Sequence, residues 1–555
     1  MRKTLLQLQY SRLLALYSKL DERLNRHFSL GRFHQFTIRQ QNKLLNKLNR
    51  LKKQLVLLEK GLKLTTSAFA LGAVLHSTEA KAQLTLLGAE FKANTSYVGP
   101  QTHSSVAIDD DGDYVITWKS GNNQDGSGFG IYAQRYNNLG AAQGGEFLVN
   151  SYTTGDQSSP AIAMNSVGDF VIAWASINQD KNDGTGIYAQ RYSANGTIQG
   201  PEFLVNTYTT LSQNFPTIAM ESNGDFVIVW ESDGQDLSGN GIYGKRFDAL
   251  GVGGAEFQIS TFSANQQRYP SVAMDNDGDF AVSWISYGQE GSGSIYGIYA
   301  RRYDNTGTVQ GAEFLVNTTT TDNQFFPTTA MDTDGDFVVA WMSNVQTGDN
   351  SNGIYAQRFN ASGTAVGTEL HVNTYTTGVQ TEPSVAMDDN GDFVVAWYSN
   401  LQDDGVYSGV YAQRYNAWGS KLGIEFKVNT QTTYTQRYPS AAMDNSGDFI
   451  ISWESYQDGS SYGIYAQRYN GNFATAINEG NTEQLFNIYP NPAKDQVMIT
   501  IEGEANVKIY DISGALIKEE TLKNNILSTQ GINTGIYFVE INQNGRKTTK
   551  KLAVE

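Results

Sequence analysis

The chain contains no cysteine among its 555 residues. Disulfide bridges, thiolate metal sites and a cysteine nucleophile are therefore excluded. Long apolar runs are also missing. Beyond residue 82, nothing approaches the ~18 consecutive apolar residues of a transmembrane helix. Strong helix formers are scarce after residue 80, whereas glycine (55 residues) and tyrosine (31 residues) are abundant. This composition predicts an all-β protein with many turns.

Charge is distributed unevenly along the chain. Residues 1–64 carry 15 lysines and arginines against 3 acidic residues, a net charge of +12. The whole chain has a net charge of −16, so residues 65–555 carry −28. An acidic body of this kind argues against nucleic acid or an anionic membrane as its partner. It suits a protein that works outside the cell, where divalent cations are present.

The N-terminal region, 1–82, differs from the rest. Its basic part is rich in leucine at helical spacing, as in "KLLNKLNRLKKQLVLLEKGLKL" (43–64). A short apolar run, "TTSAFALGAVL" (65–75), and "HSTEAKAQ" (76–83) follow. This order predicts a secretory signal peptide with Ala80 and Ala82 before the cleavage site and Gln83 as the new N-terminus. The alternative is a basic helix that remains on the mature protein and binds a membrane surface or a partner.

One phrase recurs seven times from residue 112 onwards. "GDYVITW", "GDFVIAW" and "GDFVVAW" are three of its forms, and the seven copies end in tryptophans spaced 54 to 57 residues apart. These tryptophans are Trp118, Trp174, Trp230, Trp284, Trp341, Trp397 and Trp453. A fixed period in this range indicates a repeat architecture.

Each repeat contains four strand-like pieces, which we name a, b, c and d. In one repeat they are "SVAMD", "GDFAVSW", "GIYARRY" and "EFLVN", and turn residues separate them. Four strands in a unit of this length predict one blade of a β-propeller. Strand b is apolar on both alternating sets of side chains, which indicates burial on both faces. We expect its tryptophan to lie between neighbouring blades.

The order of the pieces predicts how the ring closes. The first d piece, "EFKAN" (90–94), precedes the first a–b–c triplet, and no d piece follows the last triplet, which ends at 470. Pairing these two ends removes two open sheet edges. We therefore predict a seven-bladed propeller over 83–470, in which the N-terminal strand completes the last blade.

The C-terminal segment has another composition. After a linker, 471–484, residues 485–555 contain "YPNPAKDQVMI", "VKIYDISGALI", "INTGIYFVEI" and a terminal "KKLAV". This segment resembles the C-terminal sorting domain of the type IX secretion system. Its strand-like segments alternate with turns, which predicts a small β-sandwich. The resemblance implies a Gram-negative bacterium, contact with the secretion machinery, and release or anchoring at the outer surface. The repeats resemble "GIYAQRYNAxG…GxEFxVN" arrays of large secreted or surface proteins.

The a–b turns are candidate metal sites. Carboxylates at alternate positions, as in "DDDGD" and "DNDGD", suit Ca²⁺. The candidates are Asp109, Asp111, Asp113, Asp275, Asp277, Asp279, Asp332, Asp334 and Asp336. The alternative is a hairpin turn in which Asp or Asn accepts backbone hydrogen bonds and Gly takes a positive φ. The form "NSVGD" keeps the glycine and loses the first two carboxylates, which favours the turn. We expect no other cofactor.

The long b–c and d–a loops share one face of the predicted ring, and they supply the candidate ligand-binding residues. A glutamine recurs in each d–a loop, and aromatic residues follow it in some blades. The candidates are Gln157, Gln213, Tyr269, Phe326, Gln380 and Tyr438. Amides and aromatic faces on one surface suit sugar recognition. Alternatively, the repeated glutamine only supports its own loop.

Strand c carries an arginine in every blade, from Arg135 to Arg468, which indicates a structural role. Residues found in one blade only are His103, Arg268, His371, Glu382 and Arg437. Their spacing suggests no nucleophile and base. The regular repeats therefore favour an adhesin or glycan-binding protein over an enzyme. The alternatives are a hydrolase acting on extracellular polysaccharide and a structural surface component.

Overall fold

The computed structural model describes residues 85–96, 99–121, 124–180, 184–290, 295–344, 346, 351–403, 405–457, 461–471, 488–489, 493–499, 505–511, 516–522, 525–533, 535–543 and 546–554. The basic N-terminal segment, the predicted signal peptide, its predicted cleavage site before Gln83 and almost all of the predicted linker lie outside these residues. All regular elements in the described residues are β-strands. No helix in this part of the chain has the length and apolar character needed to cross a membrane.

Residues 85–471, where described, form seven antiparallel sheets, numbered here in chain order. The a strands are Gln101–Ile108, Gln157–Met164, Gln213–Met220, Gln267–Met274, Gln324–Met331, Gln380–Met387 and Gln436–Met443. The b strands are Tyr114–Ser120, Phe170–Ile177, Phe226–Asp233, Phe280–Tyr287, Phe337–Ser343, Phe393–Asn400 and Phe449–Ser455. The c strands are Gly130–Tyr136, Thr185–Tyr192, Asn240–Phe247, Tyr296–Tyr303, Gly353–Phe359, Ser408–Tyr415 and Gly463–Asn470.

Strand d is short in most sheets. In sheets 1 to 6 it is Phe147–Leu148, Phe203–Leu204, Phe257–Gln258, Phe314–Leu315, Ala365–His371 and Phe426–Lys427. In sheet 7 its place is taken by Phe91–Lys92, and Thr85–Leu86 pairs with the same strand c. The predicted order a–b–c–d, four strands to a repeat, is therefore confirmed, and it is the arrangement of propeller blades.

The two ends of the repeat region meet in sheet 7. Phe91 lies opposite Ala466 and Lys92 opposite Tyr465, so the predicted pairing of 90–94 with the last strand c is confirmed. The a strands of neighbouring sheets contact one another, including those of sheets 7 and 1. Across that last junction the backbone N–H of Val106 donates to Ser440 Oγ at 3.2 Å.

The hydrophobic core lies between successive sheets. Phe393, Val395 and Trp397 pack against sheet 5, whereas Val394 and Ala396 of the same strand pack against sheet 7. Strand b is therefore buried on both faces, as its sequence predicts. All seven repeat tryptophans are fully buried. Each of the seven clusters between neighbouring sheets contains one of them, as Trp230 between sheets 2 and 3 shows.

The C-terminal segment forms two sheets around a separate core. One contains Ile488–Tyr489, Gln496–Ile499 and Ile526–Ser528. The other contains Leu516–Leu522, Ala505–Asp511, Gly535–Gln543 and Arg546–Val554 in spatial order. Val497 and Leu527 of the first sheet share a buried cluster with Ile509 and Val539 of the second. Two sheets enclosing one core form the predicted β-sandwich.

Candidate functional site

Every strand a is interrupted by a β-bulge three residues from its start. In sheet 4, the pairing with strand b breaks between Arg268 and Ser271, and the other six sheets break at the equivalent place. The third residue of the strand has a positive φ of 50 to 53° in all seven sheets. A proline follows it in every sheet except sheet 1, where Ser104 stands. Proline suits a bulge, because the ladder there needs no N–H.

The bulges turn the third residues toward one central cavity of about 340 Å³, which all seven a strands line. The third residues are His103, Ser159, Phe215, Tyr269, Phe326, Glu382 and Tyr438. The glutamine two residues earlier is the same in every sheet, and so is the proline that follows in six of them. The fourth and fifth residues of each strand also line the cavity, but the fourth is proline or serine and the fifth is serine, threonine or alanine. Side-chain chemistry at the cavity wall therefore varies mainly at the third position.

These seven positions are conformationally expensive. A left-handed backbone costs a non-glycine residue roughly 1–2 kcal/mol, and aromatic residues are unusual there. Glycine would remove this cost, yet none of the seven positions contains glycine. Backbone strain that is retained in this way clusters at functional sites. The side chains at these positions are therefore the prime candidates for contact with a ligand.

One arc of the cavity wall, in sheets 3 to 5, is aromatic. The ring of Tyr269 lies 4.9 Å from the ring of Phe215 and 5.4 Å from that of Phe326, measured between centroids. Tyr269 and Phe326 also pack against the core between the sheets. The arc is thus a supported apolar surface that opens into the cavity.

The opposite arc, in sheets 6, 7 and 1, is polar. Arg437 Nε donates to Glu454 Oε2 at 3.1 Å. Glu454 Oε1 accepts the backbone N–H of His103 at 2.6 Å, so the buried carboxylate of sheet 7 supports the bulge of sheet 1. The guanidinium of Arg437 also lies over the ring of Tyr438, 4.9 Å from its centroid.

A second arginine–glutamate pair stands beside the aromatic arc. Arg268 contacts Glu231 of sheet 3 through two hydrogen bonds of 3.2 and 3.3 Å. Glu231 also accepts the backbone N–H of Tyr269 at 3.3 Å. Burial raises the pKa of Glu231 and of Glu454, and the paired arginine opposes this shift in each case. Both pairs therefore satisfy buried charge and hold a bulge in place.

Two cavity residues have strongly shifted pKa values. Burial, reinforced by the nearby Glu454, raises the pKa of Glu382 to about 7. Burial, reinforced by Lys119 and Arg437, lowers the pKa of His103 to about 4. The His103 side chain is nevertheless 52% accessible through the open cavity. Near neutral pH the cavity thus contains the uncharged imidazole of His103 and the carboxyl group of Glu382 in both its protonated and its ionised form.

The recurrent glutamines lie behind the cavity wall. Gln157, Gln213 and Gln380 have fully buried side chains. Each donates from Nε2 to a carbonyl of its own d–a loop, those of Thr154, Thr210 and Thr377 at 3.4, 3.1 and 3.2 Å. In sheets 1 and 5 the equivalent glutamine accepts the indole N–H of the buried tryptophan. Through these hydrogen bonds, the glutamines stabilise their own d–a loops.

The a–b turns spread their carboxylates over different backbone donors. Asp109 Oδ1 accepts the N–H groups of Asp111 and Asp113 at 3.0 and 2.9 Å, while Asp113 Oδ1 accepts that of Asn138 in the c–d turn at 2.8 Å. Asp275 with Asp279, and Asp332 with Asp336, repeat both contacts. Asp277 and Asp334 occupy the middle turn positions. Among the described residues, no group of three or more acidic or histidine side chains is placed to hold a metal ion.

The arginine of strand c latches neighbouring sheets together. Arg135 Nη1 donates to the carbonyl of Ala194 in sheet 2 at 2.8 Å, and Arg414 Nη2 donates to that of Gly471 at 2.9 Å. Its role is structural, as the repetition indicates. Among the single-blade residues, His371 is set apart: it stacks on Tyr355 in the outer part of sheet 5. Of the other four, His103 and Glu382 line the cavity, and Arg268 and Arg437 directly precede the cavity residues Tyr269 and Tyr438.

Tyr269, Phe326 and Tyr438 were predicted from the sequence as ligand-binding residues, but His103 and Glu382 were not predicted to lie beside them. The usable signal was the second of two variable residues that follow the constant glutamine and, in six sheets, precede a proline. Ser159 was missed because a serine in a loop-like stretch carries no signal of its own.

The C-terminal segment has a recognised relative. Residues 487–555 match the family model described as "Secretion system C-terminal sorting domain". They are a type IX sorting domain. The sorting domain interacts with the type IX machinery and directs the protein to secretion and surface attachment in a Gram-negative bacterium. The predicted range, 485–555, contains the whole match. No curated protein matches the chain as a relative.

Solved structures similar to the chain lie at low identity. A protein of unknown function from Dyadobacter fermentans has a TM-score of 0.45 at 11% identity, covering 70% of this chain and 99% of that one. The polysaccharide lyase Uly1 has a TM-score of 0.43 at 11% identity, covering 72% and 94%. A Penicillium chrysogenum α-L-arabinanase in complex with arabinobiose has 0.41 at 11%, covering 69% and 99%. At such scores the function is argued from this chain's own residues.

Proposed function

We propose that residues 83–470 form one closed seven-bladed propeller that binds extracellular glycans at its central cavity and acts as a surface adhesin. The linker 471–484 joins it to the sorting domain, 485–555. The observation that carries the proposal is the set of seven strained, cavity-facing positions. Their side chains differ from blade to blade, whereas the glutamine two residues earlier is constant and a proline follows in six of the seven blades. A purely structural repeat has no need of side chains there that glycine would replace at lower cost.

The chemistry of the two arcs favours a sugar. Sugar rings present apolar C–H faces and polar hydroxyl edges. Ligand sites typically combine apolar and aromatic walls with a few fixed polar groups. The arc containing Tyr269 supplies stacking surfaces, and Glu382 with the Arg437–Glu454 pair supplies donors and acceptors. Nucleic acid is disfavoured as a ligand, because Arg268 and Arg437 are already paired with carboxylates and the body of the chain is acidic.

Binding to immobilised polysaccharides tests the proposal. Tyr438→Ala in the secreted protein should lower affinity roughly tenfold, which corresponds to about 1.4 kcal/mol. Trp418→Ala is the control, because Trp418 is an exposed aromatic (61% accessible) outside the cavity. Equal binding by the two variants would refute the cavity as the site. If the unmodified protein binds no glycan, the structural surface component is the better reading.

A second candidate function, cleavage of extracellular polysaccharide, is favoured by Glu382 alone. A carboxyl group with a pKa near 7 in a cavity can donate a proton to a leaving group at neutral pH. Steady release of reducing ends that Glu382→Gln abolishes, while binding is retained, would establish this activity. Binding without such release supports the adhesin.

A further inference from the structure

A row of aromatic side chains runs outward from the cavity on the side of sheets 6 and 7. The guanidinium of Arg437 lies between the rings of Tyr438 and Tyr462, 4.9 and 4.3 Å from their centroids. Tyr462 lies 5.1 Å from Tyr456, and Tyr456 lies 6.0 Å from Tyr434. The row ends at Tyr407, 5.9 Å beyond Tyr434. We name these six residues the outer row.

The outer row is a surface feature. Tyr407 is 36% accessible and Tyr434 is 42% accessible, which leaves part of each ring open to a ligand. Within the described residues, none of the four outer tyrosines belongs to a hydrophobic core cluster. A pocket of about 390 Å³ lies alongside, between sheets 6 and 7, and Tyr407 and Arg437 contribute to its wall.

Tyr434 adds an independent observation of strain. It stands two residues before the recurrent glutamine and has a φ of 69°. At the equivalent position sheets 1, 2 and 6 have a glycine, sheet 3 has Leu211 and sheet 4 has Asn265, all with a positive φ. The left-handed backbone is thus a property of this loop, and Tyr434 is the aromatic side chain that the loop of sheet 7 presents there.

We propose that the outer row is a series of stacking subsites for a neutral, linear polysaccharide that extends from the rim into the central cavity. This inference rests on the glycan-binding function proposed above and specifies its ligand class. Successive rings along one line suit a chain of successive sugar units. The single cation of the row, Arg437, is paired with Glu454 at 3.1 Å, so the row offers no excess positive charge to an anionic polymer.

A second aromatic series, in sheets 4 and 5, has another role. Tyr287, Tyr296 and Phe325 follow one another at 4.8 and 5.2 Å. Its inner members, Tyr296 and Phe325, pack against the core between the sheets. It therefore serves mainly to join the sheets, which makes the outer row the better path for a polymer.

The test measures affinity against chain length by calorimetry. The full-length secreted protein is titrated with cello- and xylo-oligosaccharides of increasing length and with the parent polysaccharides. The affinity of the unmodified protein should rise with length. The double variant Tyr434→Ala, Tyr456→Ala should lose this gain, at least tenfold on the long chains, and bind the shortest ligands normally. Tyr438→Ala should weaken all lengths.

Two further variants separate binding from folding. Tyr208→Ala removes a tyrosine from the d–a loop that leads into sheet 3 and should leave the length dependence unchanged. Tyr434→Gly relieves the left-handed backbone, so it should keep the melting temperature while it lowers the affinity for long chains.

The outcomes are distinct. If the unmodified protein binds glycans equally at all lengths, or if the double variant behaves like it, the outer row is not a polymer path although the cavity still binds glycan. If no glycan binds, the proposed function fails and this inference fails with it. If a proline-rich peptide binds instead, and Tyr434→Ala abolishes that binding, the row recognises polypeptide and the polysaccharide assignment is overturned.

Discussion

His103 of sheet 1 stacks on Tyr438 of sheet 7, with ring centroids 5.2 Å apart and planes inclined by 21°. The two residues are far apart in sequence and meet because the last sheet lies beside the first. Both occupy the left-handed bulge position of their strands. The contact between sheets 7 and 1 therefore also builds the polar arc of the cavity.

Because the N-terminal strand Phe91–Lys92 completes sheet 7, damage to it should lower the stability of the whole repeat region. Phe91→Ala removes a ring that packs between sheets 7 and 1, 5.3 Å from the ring of Tyr136. We expect a loss of about 2–4 kcal/mol in the free energy of unfolding. Phe203→Ala, at the equivalent position of sheet 2, is the matched control. Denaturant unfolding should give similar losses for both. A negligible effect of Phe91→Ala alone would mean that the ring is open.

The pKa of Glu382 predicts a pH-dependent stability. The folded pKa of about 7 exceeds the ordinary value of 4.5, so the folded state holds the proton more tightly. The stabilisation that this proton provides is fully present below pH ~4.5, the ordinary pKa, and is lost as the pH rises through about 7. Glu382→Gln should match the unmodified protein at pH ~4 and exceed it at pH ~8 by about 3 kcal/mol. Thermal unfolding across pH checks this. A constant difference between the two proteins would contradict it.

The a–b turn should tolerate the loss of its first carboxylate. In sheet 2, Asn165 already accepts the N–H groups of Val167 and Asp169 at 3.2 and 2.9 Å, as Asp109 does in sheet 1. Asp109→Asn should therefore fold with unchanged or slightly higher stability at pH 8, because burial raises the pKa of Asp109 to about 6. A chelator should leave the melting temperature of both proteins unchanged. A bound ion at a hundredfold excess over Kd stabilises by ~2.7 kcal/mol, so a large drop on chelation would assign the turns to Ca²⁺.

The sorting domain predicts the fate of truncated chains. Removal of 487–555 should retain the propeller inside the outer membrane, because the signal for the type IX machinery is lost. Cell fractionation with antibodies against the repeats measures this. Mass spectrometry of the exported full-length protein should find Gln83 at its N-terminus. Surface display of the truncated chain would contradict the assignment.

Much of the fold follows from sequence because the repeats report the same local rule seven times. The alternation in strand b, as in Phe393 to Trp397, gives burial on both faces. The displaced strand at 90–94 gives the pairing with the last strand c. These are properties of short segments and of their order, which a sequence displays directly.

The site was harder to predict because it depends on backbone conformation. Nothing in the letters "QRYPS" states that Tyr269 has a φ of 50° and faces a cavity. His103 and Glu382 come from separate sheets, and the contacts between sheets bring them to one cavity. The buried glutamines show the reverse case. In sequence, a polar residue such as Gln157 next to a long loop looks exposed, yet it lies opposite Ser176 of strand b and is completely buried.

The bulge in strand a also separates two demands that usually conflict. The constant glutamine and the proline present in six sheets hold the backbone of the bulge, while the side chain between them is left to vary. Tyr269 and Phe326 also pack against the core between two sheets, whereas His103, Ser159 and Glu382 belong to no such cluster. The chemistry of the cavity can therefore be changed at these last three positions without repacking the core of the sheets.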